Sequence, residues 1–369
     1  MDKLDQARKI IDRVDSEMAE LFCRRMEAAG MIAAYKQERG LPIFDAARER
    51  AVVERNAAAI TDEALRGYYV TFLKGMMDLS KQYQHRLMDG LHVAYSGVEG
   101  AFADIAARRI FPDGRHTGFE SFQAAYDAVA DGRCDCAVLP VENSYAGAVG
   151  QVMDLMFGGE LYINGVYTLP ITQNLLGVPG ASISSVKTVI SHPQALSQCA
   201  GYIRTHGYET VAAANTAVAA QQVADSGDVA VAAIASAETA RLYGLELLDH
   251  DINESLTNTT KFAVFSRVEN RVKDKTDQKF ILLFTVNDVA GALAKAISVI
   301  AGHGFNMKVL RSRPVKDRAW QYYFYVEAEG DDSSEEGQRM LEDLSAQCEK
   351  LKVAGHYTVE INLKDSEKL

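Results

Sequence analysis

The 369-residue sequence is poor in the features that mark secreted, membrane-bound and nucleic-acid-binding chains. It has only five cysteines, an odd and scattered set that does not form a disulfide framework and therefore favours a reducing compartment. No apolar run approaches the roughly 18 residues that span a membrane, and the first residues, MDKLDQARK, are charged. With 39 basic against 50 acidic residues, there is no basic surplus for a phosphate backbone. We therefore expect a cytoplasmic protein that binds neither nucleic acid nor membranes.

The sequence does contain enough apolar material for several hydrophobic cores. It is 48% hydrophobic and 24% charged with only seven prolines, which is typical of a folded chain. Its length exceeds what one core usually organises, so two or three domains are expected. Residues 1–90 carry 15 Lys or Arg and 15 Asp or Glu, so the whole net charge of −11 belongs to the remainder. The two parts are therefore built differently.

The first ninety residues carry the pattern of amphipathic helices. Apolar residues recur at three- and four-residue steps from Leu4 to Ala34, and Gly40-Leu41-Pro42 interrupts that pattern. A second helix is predicted at 45–59 and a third from Thr61 to Met88. Three helices with few glycines predict an all-α unit, and one long helix with little core of its own suggests dimerisation.

The cations on these helices fall on particular faces. At about 100° per residue, Arg25 and Lys36 lie within about 20° of each other, whereas Arg8 is rotated by about 100° from Arg25. If all three serve one pocket, Arg8 must come from a second chain. Ser80 and Gln84 share a face of the third helix. Converging cations predict a site for a small molecule with more than one carboxylate, and the alternative is a set of solvated helix faces.

This ordered set of polar residues resembles the all-α chorismate mutase family. The positions that fill the family pattern are Arg8, Arg25, Lys36, Asp45, Arg48, Glu49, Ser80 and Gln84. The resemblance implies rearrangement of chorismate to prephenate by positioning and by donors at the breaking ether oxygen, without proton transfer. It implies Lys36 and Gln84 as those donors and Glu49 on the ring hydroxyl. The substrate carboxylates then fall to Arg25, Arg48 and Arg8 of the partner subunit.

From about residue 90, short β-rich runs alternate with alanine-rich helical stretches, which predicts α/β architecture with mainly parallel sheets. The runs are His92–Tyr95, Cys136–Val141, Leu161–Thr168, Val186–Ile190, Val229–Ile234 and Lys261–Phe265. Polar clusters adjoin three of these runs, at strand ends where such sheets bind ligands. They are Glu142-Asn143-Ser144, Ser191-His192-Pro193-Gln194 and Asn258-Thr259-Thr260. Taken singly, each cluster is explained as well by a turn or a helix cap as by a site.

Taken together, the clusters resemble the prephenate dehydratases across about residues 91 to 266. The matching motifs are Gly97 to Phe102, Pro140 to Ser144 with Gly147, Ser191 to Gln194 with Gln198 and Cys199, and Asn258 to Phe262. The resemblance implies two α/β lobes around a cleft, like a periplasmic binding protein. The outer lobe is expected at 91–168 plus 247–266 and the inserted lobe at 169–246. It also implies that prephenate loses carbon dioxide and its ring hydroxyl to give phenylpyruvate.

The same resemblance implies roles for single residues. Thr260 is the candidate at the leaving hydroxyl. The cleft residues are expected to be Asn143, Ser191, Gln198 and Thr216, and the motifs add Ser144, Lys261 and Phe262. The proton source stays open between Glu142 and His192, and a structural Glu and a capping His are equally compatible with the sequence. The family's Thr-Arg-Phe is Thr260-Lys261-Phe262 here, which exchanges a bidentate fork for a point charge.

Beyond a charged linker at 267–279, the order β-α-β-β-α-β predicts a ferredoxin-like domain. The elements expected are Phe280–Val286, Ala290–His303, Asn306–Pro314, Trp320–Glu327, Glu335–Leu351 and Gly355–Ile361. The segment resembles a phenylalanine-binding ACT domain, whose Glu-Ser-Arg-Pro begins here with Arg311 and so has one charge reversed. The effector-site residues that this implies are Gly291, Ala292, Leu293, Asn306, Leu310, Arg311 and Ser312.

The three resemblances together describe the bifunctional chorismate mutase/prephenate dehydratase family. They divide the chain into a mutase at 1–90, a dehydratase at 91–266 and an ACT domain at 279–363. The expected ligands are chorismate, prephenate and the effector L-phenylalanine, in a homodimer or higher homo-oligomer with no cofactor and no metal. Three alternatives remain: an aromatic-ligand sensor without catalysis, an arogenate dehydratase, and an ACT segment that only dimerises. A side-by-side assay of prephenate and arogenate separates the enzymatic ones.

Overall fold

The computed structural model describes residues 3–255, 257–269, 278–316, 320–358 and 361–363. The predicted linker at 267–279 therefore lies largely outside the described residues. The chain divides into two compact units, residues 1–92 and residues 93–369. Within the described residues, no helix is long and apolar enough to cross a membrane.

Three helices form the first unit, as the periodicity predicts. They are α1 (Lys3–Arg39), α2 (Ala46–Ala58) and α3 (Glu63–Asp89). Gly40 ends α1 with φ +61°, a left-handed conformation that glycine adopts without strain. Carboxylates of Asp45 and Asp62 accept hydrogen bonds from the first free backbone N–H groups of α2 and α3. Local capping chemistry therefore fixes where the helices begin and end.

Only the second half of α1 packs on its own chain. Its buried residues are Ala29 and Ala33, and Gly30 lies against Tyr83 and Leu87 of α3. In the first half, large apolar side chains are exposed: Leu4, Ile10, Ile11, Val14, Met18, Leu21 and Phe22. An apolar face of this length on a soluble helix is ordinarily covered by another element.

The second unit contains two lobes and a ferredoxin-like domain. The first lobe has β1 (His92–Ser96), α4 (Phe102–Ile110), β2 (Arg115–Phe119), α5 (Phe122–Ala130), β3 (Cys136–Asn143), β4 (Gly147–Ala148), α6 (Gly150–Gly158) and β5 (Tyr162–Pro170). The second lobe has β6 (Asn174–Gly177), β7 (Thr188–Ser191), α7 (Pro193–Gln198), α8 (Ala200–His206), β8 (Glu209–Ala212), α9 (Thr216–Ser226), β9 (Val231–Ala235), α10 (Ala237–Tyr243) and β10 (Glu246–Asp249). The chain then returns to the first lobe as β11 (Thr259–Ser266).

The sheets of the two lobes are mixed, so the prediction of mainly parallel sheets is wrong. In the first lobe the order is β5-β11-β3-β1-β2, and β11 runs antiparallel to both neighbours. In the second lobe the order is β10-β6-β9-β7-β8, with β6 antiparallel to β9 and β10. The physical reason is the double crossover: a strand that returns from the other lobe enters the first sheet from the opposite end.

The crossover segments form one hydrogen-bonded hinge. Ile171 N–H donates to the Asn258 carbonyl at 2.8 Å, and Ile252 N–H donates to the Gln173 carbonyl at 2.8 Å. Strand β10 pairs with β6, so residues 247–249 belong to the inserted lobe rather than to the outer lobe. The inserted lobe therefore runs from about 174 to 249 in the structure.

Residues 279–357 have the predicted β-α-β-β-α-β order. The elements are β12 (Lys279–Thr285), α11 (Ala292–Gly302), β13 (Asn306–Pro314), β14 (Tyr322–Glu329), α12 (Glu335–Ser345) and β15 (Lys350–Tyr357), followed by β16 (Ile361–Asn362). The sheet order is β13-β14-β12-β15. Helix α12 ends six residues earlier than predicted, because Glu349 N–H already bonds to the Thr285 carbonyl and starts the pairing of β15 with β12.

This ferredoxin-like domain is continuous with the first lobe. Gly355 pairs with Ile163 of β5, which joins the two sheets into one of 11 strands. A side chain at Gly355 would meet the Ile163 carbonyl at 2.2 Å, so only glycine allows this approach. One face of the domain packs on its own helices through residues such as Phe280, Ile300 and Leu344. The other face shares the core of the first lobe.

Candidate functional site

In the helical unit the structure brings Arg25, Ser80 and Gln84 together. The Arg25 guanidinium of α1 donates to the Ser80 hydroxyl and to the Met76 carbonyl, the latter at 3.2 Å. Burial lowers the pKa of Arg25 but leaves it a cation at neutral pH. The Ser80 hydroxyl donates to the Met76 carbonyl at 2.9 Å. The Arg25 cation is thus held at the α1–α3 contact by hydrogen bonds from Nη1, and no residue in the described ranges accepts from the rest of its guanidinium.

Gln84 is the most telling residue of this group. It is only 7% exposed, and its Nε2 donates to the Ser80 carbonyl at 3.2 Å. No described residue donates to its buried Oε1. Leaving a buried polar atom unpaired costs about 1–3 kcal/mol, which a folded chain tolerates mainly where a ligand or water completes the bond.

The second helix borders the same region from another side. Lys36 Nζ donates to the Ile43 carbonyl at 2.6 Å, and Asp45 accepts from Arg48 N–H at 2.9 Å, so Asp45 is a helix cap. Arg48 is exposed and Glu49 is half-buried. Every one of these groups is close to the start of α2, where Asp45 sets the first turn.

Glu49 has a partner that sequence reasoning missed. Lys81 Nζ lies 3.2 Å from Glu49 Oε2 and 2.8 Å from Asp78 Oδ1. Burial opposes the charge of Lys81, but the hydrogen bonds to Asp78 and Glu49 outweigh it and raise its pKa. The available signal was its place in sequence, directly after Ser80 and three residues after Asp78.

Arg8 does not join this group within one chain. Helix α1 is continuous, and Arg8 and Arg25 are 17 positions apart, so they are separated by about 25 Å along the axis. The rotation of about 100° between Arg8 and Arg25 already predicted that they lie on different faces. The axial distance along α1 separates them further.

In the second unit, Asn143 of β3 and Thr260 of β11 lie directly opposite each other in the strand register. Asn143 Nδ2 donates to Thr260 Oγ1 at 2.9 Å and to Asn258 Oδ1 at 2.9 Å. Because the Thr260 hydroxyl accepts this bond, it keeps its own proton for donation to another group. Asn143 Oδ1 also accepts from the backbone of the following loop, which orders that loop.

Asn258 is a candidate that the sequence analysis named only as part of a motif. It is 4% exposed at the hinge, and no residue within the described ranges accepts from its Nδ2. It borders a small cavity of about 20 Å³, which is lined by Tyr145, Gln198, Asn253, Glu254, Ser255 and Asn258. The cavity lies between the first lobe, the hinge and the end of α7, and Gln198 therefore lies close to Asn258. The run Asn258-Thr259-Thr260 before a strand was the available signal.

Several other residues that were predicted at the cleft are buried or make contacts within the fold. Ser191 is fully buried and donates to the Ile234 carbonyl at 2.6 Å, so its hydroxyl does not face the cleft. Phe262 is 2% exposed and belongs to the core. Ser144 bonds to the backbone of Thr259 and so ties the loop to β11. Thr216 is buried at the first position of α9. The structure therefore buries Ser191, Thr216 and Phe262, and Ser144 makes a contact within the fold.

His192 is the N-cap of α7, one of its two predicted roles. Its Nδ1 accepts from Gln194 N–H at 3.2 Å. Burial lowers the pKa of His192, which favours the neutral imidazole and weakens it as an acid at neutral pH. The glycine-rich loop, in turn, is bonded to the second lobe. Thr239 donates to the Gly100 carbonyl at 2.9 Å, and Tyr243 donates to the Glu99 carbonyl at 3.1 Å.

Glu142 is held from two sides. It pairs with Lys261 across the β3–β11 register, with 3.8 Å between Lys261 Nζ and Glu142 Oε2. The Arg311 guanidinium of β13 donates to Glu142 Oε1. Arg311, expected in an effector site, therefore contacts the dehydratase motif.

The remaining predicted effector residues lie apart from Glu142. Gly291 begins α11 with φ +82°, followed by Ala292 and Leu293. Leu310 and Ser312 are exposed on the edge strand β13, and Asn306 Nδ2 donates to Glu329 Oε2 at 2.9 Å. Among the described residues, no three His, Cys, Asp or Glu side chains come together as a metal site requires.

Comparison with known proteins agrees with both site regions. The sequence profile of type II chorismate mutases matches residues 7–85, and that of prephenate dehydratases matches residues 93–270. A bifunctional chorismate mutase/prephenate dehydratase of Aquifex aeolicus (strain VF5) is 32% identical over 368 residues, covering 97% of this chain and 98% of that one. A chloroplastic arogenate dehydratase/prephenate dehydratase of Arabidopsis thaliana is 32% identical over 285 residues, 73% of each chain.

Two solved structures share the fold of the second unit. A prephenate dehydratase from Arthrobacter aurescens in complex with L-Phe has a TM-score of 0.68 and 25% identity, covering 73% of this chain and 90% of that one. GqqA, described as a novel type of quorum-quenching acylase, has a TM-score of 0.67 and 32% identity, covering 73% of this chain and 98% of that one. The all-helical first unit and the periplasmic-binding-protein-like fold of the dehydratase region are confirmed.

Two catalytic regions on one chain, one all-α and one two-lobed, define a bifunctional metabolic enzyme. The chain belongs to the bifunctional chorismate mutase/prephenate dehydratase family, as its motifs predicted. It is an enzyme of phenylalanine biosynthesis with chorismate mutase and prephenate dehydratase domains.

Proposed function

We propose that the helical unit binds chorismate at Arg25, Lys36, Arg48 and Gln84 and rearranges it to prephenate. The observation that supports this site is the unpaired buried Oε1 of Gln84, whose helix also carries Ser80, the partner of Arg25. Gln84 Nε2 has a second proton beyond the one it donates to the Ser80 carbonyl, and Nε2 and Lys36 Nζ are the two donors proposed for the breaking ether oxygen. Since the reaction needs no proton transfer, positioned donors and a compact substrate conformer are sufficient.

The test of this site is Lys36→Ala, with Lys74→Ala as a matched control because Lys74 is an exposed cation of α3. We expect the first change to lower chorismate turnover by at least about 100-fold, as loss of one charge-stabilising donor does, and the second to leave it unchanged. Prephenate dehydration by the same chain reports that the protein is intact. Near-normal turnover by Lys36→Ala would contradict the assignment.

We propose that the mutase site is completed by Arg8 of the partner subunit in a homodimer. Two observations support this: the exposed apolar first half of α1, and the distance of about 25 Å between Arg8 and Arg25 along one helix. An antiparallel pairing of two α1 helices would cover the apolar face and bring each Arg8 to the other chain's Arg25.

We propose that the two-lobed region converts prephenate to phenylpyruvate, with Thr260 donating to the departing hydroxyl. The supporting observation is the Asn143–Thr260 hydrogen bond, which orients the Thr260 oxygen and leaves its proton available. Asn258 Nδ2 and Gln198 are then the amide anchors for the substrate side chain. Aromatisation drives loss of carbon dioxide, so the site needs an oriented donor more than a strong acid.

Thr260→Ala and Thr260→Ser test this role. We expect the alanine variant to lose most phenylpyruvate formation and the serine variant, which keeps a hydroxyl, to retain more. Chorismate consumption by each variant is the internal control. Equal dehydration rates for wild type and Thr260→Ala would rule out Thr260 as the donor.

Prephenate rather than arogenate is the proposed substrate, because relatives that match 95% or more of this chain are named for prephenate alone. The two substrates differ at the side chain, where arogenate carries an ammonium in place of the ketone. Steady-state rates with both substrates test the preference, and a higher kcat/KM for arogenate would reverse it.

We propose that residues 279–363 form an ACT domain that binds L-phenylalanine between two copies and inhibits the dehydratase. The supports are the exposed edge strand with Leu310 and Ser312, and the glycine turn at Gly291. The structural relative from Arthrobacter aurescens was solved with L-Phe. Titration with L-phenylalanine and a dehydration readout tests the proposal, and absence of inhibition would favour a module that only dimerises.

A further inference from the structure

We propose that Arg311, on strand β13 of the ferredoxin-like domain, is a positioning residue for prephenate dehydration and acts through Glu142. The inference rests on the proposed dehydratase site at Asn143 and Thr260. It assigns Arg311 to the catalytic region rather than to a contact with the effector.

The first support is the geometry around the Glu142 carboxylate. Arg311 donates to one oxygen from β13, and Lys261 approaches the other to 3.8 Å from β11. All three side chains are half-buried, with 25% to 29% of each side chain exposed. One carboxylate on β3 is therefore held by two cations, one from its neighbouring strand and one from another domain.

The second support is the strand register. Glu142 lies opposite Lys261, and the next pair along the same strands is Asn143 opposite Thr260. Successive residues of a strand point to opposite faces, so the Glu142 clamp and the Asn143–Thr260 pair occupy the two faces of one strand end. The ion pairs of Glu142 on one face therefore limit the movement of the Thr260 hydroxyl on the other face.

The third support is that β13 is itself anchored to the first lobe. Two residues after Arg311, Arg313 Nε donates to Asp154 Oδ1 of α6 at 3.2 Å, and Tyr323 donates to the same carboxylate at 2.9 Å. Burial alone would raise the pKa of Asp154, but the bonds from Arg313, Tyr323 and Lys316 hold it below its usual range. Arg311 therefore lies on a strand that a second ion pair, between Arg313 and Asp154, fixes to the first lobe.

The two cations that meet at the Glu142 carboxylate differ in geometry, since Lys261 carries an ammonium and Arg311 a planar guanidinium. A point charge holds a carboxylate with less geometric definition than a guanidinium fork. Arg311 supplies the fork that Lys261 lacks.

The test measures prephenate dehydration by Arg311→Gln, with Lys308→Gln as a matched control. Lys308 is a cation on the same strand whose partner, Glu329 at 3.1 Å, lies within the ferredoxin-like domain. We expect Arg311→Gln to lower kcat about 10-fold with little change in KM, less than the roughly 100-fold cost of a grossly misplaced group. Arg311→Lys, which keeps a charge, should recover part of the loss. Lys308→Gln and chorismate turnover should be unchanged.

A double-mutant cycle separates positioning from a general loss of stability. Glu142→Gln should reduce kcat as well, and the Arg311→Gln/Glu142→Gln pair should be no slower than the slower single variant. Multiplicative losses, or Arg311→Gln within twofold of wild type, would overturn the role of Arg311. If the wild-type chain forms no phenylpyruvate, the proposed function fails first, and this role with it.

Discussion

Three amide side chains are buried with an atom that no described residue pairs: Gln84 in the first unit, and Gln173 and Asn258 in the second. Each such atom costs the folded chain about 1–3 kcal/mol. Two of the three share a hydrogen-bonded neighbour with a residue that the motifs singled out: Gln84 shares Ser80 with Arg25, and Asn258 shares Asn143 with Thr260. An unpaired buried amide close to a motif residue is therefore the residue-level feature that the two proposed sites have in common.

Asn258→Asp is an isosteric test of this feature at the proposed dehydratase site. The aspartate keeps an oxygen for the hydrogen bond from Asn143 but replaces the unpaired donor with an anionic acceptor. Because hydrogen bonds to charged groups contribute about 1.5–3 kcal/mol, we expect KM for prephenate to rise by at least about 10-fold. Steady-state dehydration kinetics measure this, with chorismate turnover as the control. An unchanged KM would show that Asn258 does not meet the substrate.

The first three helices could be predicted from local sequence, whereas the pairing of the strands could not. Asp45, Asp62 and Gly40 bound the first three helices, and each acts within a few residues of itself. Strands β2 and β8 were missed because they are short and largely exposed and so carry no apolar run. The direction of β11 was also missed, because the double crossover that reverses it involves a lobe of about 76 residues.

The sites show the same division between local and distant information. The shared face of Arg25 and Lys36 was predicted from their spacing in the sequence, and Thr260 was named from the resemblance of its motif to the prephenate dehydratases. The contact of Arg311 with Glu142 spans 169 residues and joins two domains, so no local pattern could predict it.

At the scale of a single element, Asp45 acts as the cap of α2. Its carboxylate accepts from Arg48 N–H, and an asparagine oxygen can replace it in that bond. We expect Asp45→Asn to retain most mutase activity. Asp45→Ala should destabilise α2 by about 1 kcal/mol and lower turnover by displacing Arg48 and Glu49. Chorismate assays with thermal unfolding distinguish the two variants. Equal, severe loss in both would instead indicate that the charge of Asp45 contacts substrate.

At the scale of the assembly, the proposed exchange of Arg8 predicts complementation between two inactive variants. Arg8→Ala and Lys36→Ala homodimers each lack one group in every site. After unfolding and refolding an equal mixture, half of the dimers are mixed, and each has one site with both groups intact. We expect recovery of about one quarter of wild-type mutase activity. No recovery in a mixture that contains mixed dimers would place Arg8 outside the partner's site.

Across the second unit, the ferredoxin-like domain is joined to the first lobe partly by a half-buried lysine. Lys352 Nζ of β15 donates to the carbonyls of Met156 and Gly159 at the end of α6. Burial, and to a lesser degree the charge of Lys350, lowers the pKa of Lys352 to about 8 from its ordinary 10.5.

The lowered pKa of Lys352 makes the free energy of unfolding depend on pH, in a direction that can be stated. Between pH 8 and 10.5 the unfolded chain binds more protons at this site than the folded chain, so folding at Lys352 becomes more favourable as pH rises through that window. We expect the difference in unfolding free energy between wild type and Lys352→Met to change with pH in that direction. Urea unfolding of both proteins from pH 7 to 10 measures it, with Lys308→Met as an exposed-lysine control. A pH-independent difference would show that Lys352 titrates alike in the folded and unfolded chains.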